Sequence, residues 1–256
     1  MKRESRLREI ARFLRVRSGC TIRELAEHLD VSHMTVRRDL AELQEEGTVR
    51  TVHGGVVYTG PSEEGAARYS VVSAGTKHVD EKSRIGARGA SLVRESDVVL
   101  IDTGTTTEYI ARGLPGDVPL TVICFSLNVL LSVVDMDRVD IIFPGGYFHP
   151  NTRMMTSPEA IELIRRNRAT KAFISAAGVS FDLGVTCLNA YEIAPKQAAL
   201  ASSLSRILVA DSSKFGWVQP ALFAEVSDFD TVITDRGISQ EYARGIQERG
   251  VELIVV

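Results

Sequence analysis

The segment from Thr21 to Gly55, TIRELAEHLDVSHMTVRRDLAELQEEGTVRTVHGG, leaves the chain few choices of local fold. Ile22, Leu25, Ala26 and Leu29 recur at i, i+3, i+4 and i+7, the spacing that buries one face of a helix. Asp30-Val31 is left for a tight turn. Ser32 is a good N-cap for a second helix running to about Glu46, whose apolar stripe is Val36, Leu40 and Leu43. Gly47 suits the left-handed residue that closes such a helix. Two β-rich runs, 48–52 and 56–58, flank His53-Gly54-Gly55 as strands flank a hairpin tip. A helix, a turn, a second helix and a two-stranded wing form a unit that can lay the second helix in the major groove of DNA.

The side chains on that second helix fit the purpose. Arg37 and Arg38 fall away from the apolar stripe, and His33 and Thr35 lie near the N-terminal end beside the Ser32 cap. Arginine can pair bidentately with guanine, and threonine and histidine can bond bases or phosphates. Arg50 and His53 on the wing are expected to lie against phosphate or the minor groove. A solvated charged face would explain the arginine pair alone. It would not explain the coincidence of cap, turn length, arginine pair and Gly-Gly wing.

Composition narrows the class further. The chain has 256 residues, 44% of them hydrophobic, and a formal net charge of −3, so it is no basic nucleic-acid coat. The charge is uneven: residues 1–58 hold eleven Lys/Arg against nine Asp/Glu, and the first seventeen hold seven against two. A basic first helix with a Leu7, Ile10, Ala11 and Leu14 stripe fits phosphate contacts, although an ordinary solvated face would look the same. Cys20, Cys124 and Cys187 lack metal-ligand spacing, and so do His28, His78 and His149. No metal or cofactor is expected. A charged N-terminus with no apolar stretch behind it, and no run near ~20 apolar residues, lead us to expect a cytoplasmic protein without a membrane partner.

Residues 59–76 are weakly patterned and are read as a linker between a DNA-binding domain, 1–58, and a second domain, 77–256. The second domain alternates apolar β runs with helical stretches. Strands are expected at 98–101, 120–124, 139–143, 171–175, 207–209, 231–234 and 252–255, with helices between them. That alternation predicts an α/β domain with a mostly parallel sheet. Such sheets bind ligands at the carboxyl ends of their strands.

The loops at those ends carry small, hydroxylated or basic residues. After the first comes Asp102-Thr103-Gly104-Thr105-Thr106-Thr107, which opens a helix and can cradle a phosphate, although N-capping alone needs the same residues. It is neither a Walker loop nor a dinucleotide fingerprint. Ser126 and Asn128 follow the second strand, and Gly145-Gly146 the third. Ser175-Ala176-Ala177-Gly178 follows the fourth, and Lys214 lies in a later loop. Lys214 can supply a point charge to a phosphate, with Trp217 as an apolar anchor nearby. Taken together, these ends favour a small ligand that carries phosphate.

The residues also resemble a known family. VSHMTVRRDLAELQEEGTVRTVHGG is similar to the recognition helix and wing of DeoR-type repressors, with every key position present. DTGTTT, CFSLN, FPGGYFH, SAAGV and DSSKFG resemble motifs of the family's sensor domain, so the likeness covers nearly the whole chain. Several, with the TCLN stretch from Thr186 that includes Glu192 and Lys196, are nearest to its deoxyribonucleoside-operon branch. The resemblance implies a winged helix-turn-helix joined to a sensor of the ribose-5-phosphate isomerase-like fold. It implies repression of a sugar or nucleoside catabolism operon, relieved by a sugar phosphate such as 2-deoxyribose 5-phosphate.

That fold makes catalysis the rival expectation, in the form of a sugar-phosphate isomerase fused to a DNA-binding domain. Isomerisation needs a base and acids around adjacent carbons. The isomerase family's Asp-rich loop is here Ser-Ala-Ala-Gly. Glu192 and Lys196 remain, as ligands of sugar hydroxyls or as an i,i+4 surface pair, with Pro195 between them leaving the local geometry open. Binding without turnover is expected. So is a homo-oligomer, because helix-turn-helix proteins read paired half-sites through symmetric dimers.

Overall fold

The computed structural model describes residues 2–17, 19–52, 54–60 and 70–256. His53 and residues 61–69 of the expected linker lie outside the described residues. The N-terminal unit runs α1 (Arg3–Arg17), β1 (Gly19–Thr21), α2 (Ile22–Leu29), α3 (His33–Glu45), β2 (Val49–Val52) and β3 (Gly55–Tyr58). A capping box starts α2: Thr21 Oγ1 accepts from the Glu24 N–H, and the Glu24 carboxylate accepts from the Thr21 N–H. Ser32 Oγ accepts from the Thr35 N–H to start α3, and Gly47 follows its end at φ +73°. Ile10, Leu14, Leu25, Val36, Leu40 and Val56 are buried together, so the expected stripes form one core. The wing has a third strand that sequence periodicity did not reveal: β1 pairs antiparallel with β3, giving the order β1–β3–β2.

The linker expectation needs correction at its C-terminal end. Ser70 caps a short helix, α4 (Val71–Gly75), and Val71 is buried with its N–H donating to the Asn151 carbonyl at 2.8 Å. This stretch therefore belongs to the second domain. Next come α5 (Val79–Ala90), β4 (Val98–Ile101), α6 (Thr105–Arg112), β5 (Leu120–Cys124), α7 (Leu127–Val133) and β6 (Val139–Ile142). A hairpin of β7 (Tyr147–His149) and β8 (Met154–Thr156) precedes α8 (Pro158–Arg166) and β9 (Ala169–Ser175). Then follow β10 (Gly178–Ser180), β11 (Gly184–Cys187), α9 (Ile193–Ala201), β12 (Ser203–Val209) and β13 (Ala221–Ala224). The chain closes with β14 (Thr231–Thr234), α10 (Gln240–Glu248) and β15 (Glu252–Val255).

Seven strands form one parallel sheet in the order β6–β5–β4–β9–β12–β14–β15. The chain winds outward from β4 to one edge, returns to β9, and winds outward to the other edge. The direction reverses between β4 and β9, and a crevice opens at the carboxyl ends of such neighbours. The helices cover both faces over two apolar cores, one around Phe125 and Ile174 and the other around Phe173 and Ile101. Beyond the crevice, β10, β11 and β13 make a small antiparallel sheet absent from the sequence reading.

The two units touch. Val57 of β3 is buried against Leu183 and Val218, with Val52 alongside. Gly55 permits this approach, since a Cβ there would lie 2.8 Å from Leu183 Cδ1 and 2.6 Å from the Cys20 carbonyl oxygen. Arg50 Nη2 donates to the Pro220 carbonyl at 3.0 Å, and Arg23 lies 3.5 Å from Asp182.

Within the second domain the tightest helix contact is α5 on α6. A Cβ at Gly86 would lie 2.3 Å from the Tyr109 Cβ and 2.8 Å from its backbone carbon. Overfilling a packed interior costs about 1–3 kcal/mol. Gly86→Ala should therefore lower the unfolding free energy by that amount in urea melts, and an unchanged midpoint would refute the contact.

Candidate functional site

The candidate DNA-reading face lies on α3. Val36, Leu40 and Leu43 anchor α3, which leaves Ser32, His33, Arg37 and Arg38 exposed and Thr35 half-buried, its hydroxyl 3.0 Å from Ser32 Oγ. Met34, passed over in the sequence, is 74% exposed at the same end, where a thymine methyl is a suitable partner. Also passed over was Asp39, whose buried carboxylate takes two hydrogen bonds from the Arg6 guanidinium and so fixes α3 on α1. Arg50 stands differently from expectation. Its guanidinium faces the Pro220 carbonyl of the second domain rather than open solvent alone.

The second candidate is the crevice between β4 and β9. Asp102 follows β4 and Ser175 ends β9, and the Ser175 N–H donates to Asp102 Oδ2 at 2.9 Å, closing the floor. From α9, Lys196 reaches the same carboxylate oxygen and also donates to the Ser175 carbonyl at 3.0 Å. The Lys196 and Asp102 side chains are 1% and 0% exposed. Burial alone would lower the Lys196 ammonium, but Asp102 and Glu192 outweigh it and hold the group above its usual value. Burial pushes the Glu192 carboxyl up, against the attraction of Lys196. Glu192 is also tied locally, its Oε1 accepting from the Asn189 N–H at 3.1 Å and from Nδ2 at 2.8 Å. Glu192 and Lys196 are thus a buried pair and not the surface pair that their spacing also allowed. Pro195 sits in the first turn of α9, as a helix start permits.

Two connected spaces occupy the crevice. The inner one, about 40 Å³, is lined by Gly104, Thr152, Ser175, Cys187, Glu192 and Lys196, among others. The outer one, about 400 Å³, is lined by Gly104, Thr105, Thr106, Ser175, Lys214 and Gln219, with Ala74, Lys77 and Lys82 on its far wall. Ser175, Ala176, Ala177 and Leu188 border both. Gly104 has φ +149°, and a Cβ there would lie 2.9 Å from Ser175 Oγ, so glycine is needed at the rim. Buried side-chain oxygens without a hydrogen-bond partner include Asp102 Oδ1, Ser126 Oγ, Asn128 Oδ1, Asp211 Oδ2 and Thr234 Oγ1, and of these residues Asp211 lines the crevice.

Of the predicted ligand residues, the structure brings Gly104, Thr105, Thr106, Ser175, Glu192, Lys196 and Lys214 to the walls of these spaces. It places the others elsewhere. Asp102 is fully buried behind Ser175 and acts on the wall through Lys196. Thr107 is turned inward, its hydroxyl donating to the Gly104 carbonyl, because it falls on the core side of α6. Asn128 Nδ2 donates to the Gly104 carbonyl and to Glu108, bracing the loop from behind, and Ser126 is buried beside it. Gly145 and Gly146 form the turn into β7, where Gly146 packs against the Thr156 carbonyl. Lys82 was missed. A signal was present, since Lys82, Ile85, Gly86 and Gly89 share the buried stripe of α5, where a lysine has no packing reason to be. The three cysteines are buried, and burial pushes their thiols up to about 12. Among the described residues no group of three His, Cys, Asp or Glu side chains could hold a metal ion.

A winged helix-turn-helix carried on a parallel α/β domain with a polar strand-end cavity is the build of a ligand-responsive DNA-binding regulator. The chain belongs to the DeoR family: the DeoR-like helix-turn-helix domain matches residues 6–61 and the DeoR C-terminal sensor domain matches residues 77–236. It is 30% identical over 253 residues to the deoxyribose operon repressor of Escherichia coli strain K12, covering 99% of this chain and 98% of that one. It is also 30% identical over 258 residues to the HTH-type transcriptional repressor GlcR of Bacillus subtilis strain 168, covering 100% and 97%. Among solved structures, ribose 5-phosphate isomerase A of Methanocaldococcus jannaschii overlaps 54% of this chain and 55% of its own at 14% identity and TM-score 0.40. The full-length sorbitol operon regulator SorC of Klebsiella pneumoniae overlaps 81% and 88% at 12% identity and TM-score 0.39.

The raised Glu192 gives a pH test. A carboxyl whose folded value lies above its usual 4.5 lends stability that is fully present below that pH and is lost as pH rises through the folded value. Glu192→Gln keeps the neutral form throughout. Its melting temperature should therefore gain on the wild type as pH is raised from 4.5 towards neutrality, and a constant difference would contradict the burial of an ionisable Glu192.

Proposed function

We propose that this DeoR-family regulator is a repressor of a sugar or nucleoside catabolism operon, released from its operator by a phosphorylated sugar. Residues 1–58 read DNA through Arg37, Arg38, Thr35 and His33. Residues 71–256, which include α4, hold the effector, and the segment before α4 joins them to the DNA-binding unit. The observation that carries this reading is the crevice between β4 and β9. It combines a 400 Å³ space, within the usual range of small-molecule sites, with the open first turn of α6 and the ammonium of Lys214. The hydroxyl-binding groups Ser175, Glu192 and Lys196 stand deeper. The favoured effector is 2-deoxyribose 5-phosphate, supported by full-length similarity to a deoxyribose operon repressor. Similarity of equal degree to a repressor of another name keeps a different sugar phosphate as the second reading.

The same loop that borders the cavity holds the DNA-binding unit. Lys214 and Gln219 line the space, while Val218 packs on Val57 and the Pro220 carbonyl takes the Arg50 hydrogen bond. An effector with different affinity for two positions of this loop shifts the wing between them, and that difference limits how far DNA release goes. The working form is a homo-oligomer that presents two recognition helices to paired half-sites. It acts in the cytoplasm beside its DNA; among the described residues no helix is long and apolar enough to cross a membrane.

Binding occurs without turnover. Ala176 and Ala177 stand where an isomerase would need acids, Glu192 is committed to Asn189, and Lys196 is committed to Asp102. Formation of a ketose from ribose 5-phosphate by the pure protein would overturn this.

Two variants separate the roles. Arg38→Ala should weaken operator binding by about tenfold or more, as loss of a base or phosphate contact does, and leave effector binding intact. Lys214→Ala should do the reverse. Effector at ~100 times its Kd adds roughly 2.7 kcal/mol, which raises the melting temperature by about 2–4 °C per kcal/mol at this size. A panel of 2-deoxyribose 5-phosphate, ribose 5-phosphate and fructose 1-phosphate should show such a shift with one member. No shift with any of them would sink the sugar-phosphate reading and leave the DNA-binding half standing.

A further inference from the structure

The outer face of α3 carries an apolar side chain among cations. Met34, Arg37, Arg38 and Ala41 recur at i, i+3, i+4 and i+7, opposite the buried Val36, Leu40 and Leu43. All four are exposed, Met34 to 74%. A single exposed methionine is ordinary on a protein surface. This one stands in the first turn of the helix, the part that reaches base edges, in line with two arginines that draw the stripe to a polyanion. The polar groups beside it are already engaged. Ser32 Oγ accepts from the Thr35 N–H at 3.2 Å and lies 3.0 Å from Thr35 Oγ1, so both hydroxyls serve the cap. At the other end of α3, Gln44 Oε1 accepts from the Thr51 N–H at 3.0 Å and from the Thr51 hydroxyl at 2.6 Å, which ties that end to the wing. The first two turns are therefore the part of α3 free to enter a groove.

Base edges in the major groove present donors, acceptors and one apolar group, the 5-methyl of thymine. A methionine side chain is unbranched and polarizable, and it covers such a group without needing a hydrogen bond. We infer that Met34 reads a thymine methyl in each half-site, while Arg37 and Arg38 supply the bonds to guanine or phosphate. This rests on the DNA-reading role of α3 proposed above and adds a base that the arginines do not specify. It also places that base. Three residues of helix rise about 4.5 Å, against about 3.4 Å between base pairs. The thymine therefore lies about one or two base pairs from the base or phosphate that Arg37 contacts.

The test uses the full-length protein and a duplex that it selects from a random-sequence pool, resynthesised with deoxyuridine in place of one thymidine at a time in both half-sites. Deoxyuridine keeps the base pair and removes only the methyl group. At one position the wild type should lose about 3- to 5-fold per half-site, or about 10- to 25-fold for the pair, the effect of burying one methyl group. Met34→Ala should bind the unmodified duplex more weakly by at least that factor and lose nothing further at that position, since both changes remove the same contact. If no deoxyuridine weakens the wild type, the inference is overturned. It is also overturned if Met34→Ala loses as much as the wild type at every position, because another group then reads the methyl. A selected duplex with no thymine in its half-sites would overturn it as well. Failure to select any duplex would sink the DNA-reading role of α3 itself. Should Met34→Ala lack measurable binding or a native melting transition, Met34→Gln decides, because it keeps the length of the side chain and removes its apolar end. It should lose the discrimination against deoxyuridine, and full discrimination would overturn the proposal.

Discussion

The second domain is organised around one topological constraint, the reversal of winding between β4 and β9. Right-handed crossovers on either side send their connections to opposite faces, and the two carboxyl ends are left with no loop across them. The carboxylate of Asp102 sits at that gap. It takes the Ser175 N–H from the neighbouring strand and the Lys196 ammonium from α9. A buried ion pair of this kind adds little net stability, but losing one partner strands a charge in the interior. It holds strand, loop and helix in one register, and both spaces of the crevice depend on that register.

The walls follow from what this pair uses up. With Lys196 neutralised at the floor, the cations that line the outer space are Lys77, Lys82 and Lys214, with the Asp211 carboxylate among them. The rim is also where the structure is mechanically connected. Residues 214–220 run from the cavity to the wing contact at Val218 and Pro220, and Lys82 reaches from the cavity to α4.

Much of the fold was legible because its elements are either amphipathic or wholly apolar. The main-sheet strands at 98–101, 120–124, 231–234 and 252–255 stand where apolar runs bounded by turn residues put them. β1, β7, β8 and β10 are three residues each, too short to show a period, and the β10–β11–β13 sheet joins residues more than thirty apart. Helix α4 has five residues and is held by Asn151 and Lys82, contacts that lie outside its own sequence. At the site, glycine, hydroxyl and lysine residues after strand ends could be listed from sequence, but not which of them turn inward. Thr105 and Thr106 face the cavity and Thr107 the core, a difference of one helical step.

By itself the sequence determined the winged helix-turn-helix, the alternation that produces a parallel sheet, and the strand ends that could hold a ligand. These depend on local periodicity, capping and turn chemistry, which act over a few residues. Only the tertiary structure decided that Asp102 is spent on Lys196, that Arg50 faces Pro220, and that Lys82 is a buried cation beside the cavity. Each of these is a pairing across distant segments, and the free energy of a charge depends on which partner and how much water the fold leaves beside it.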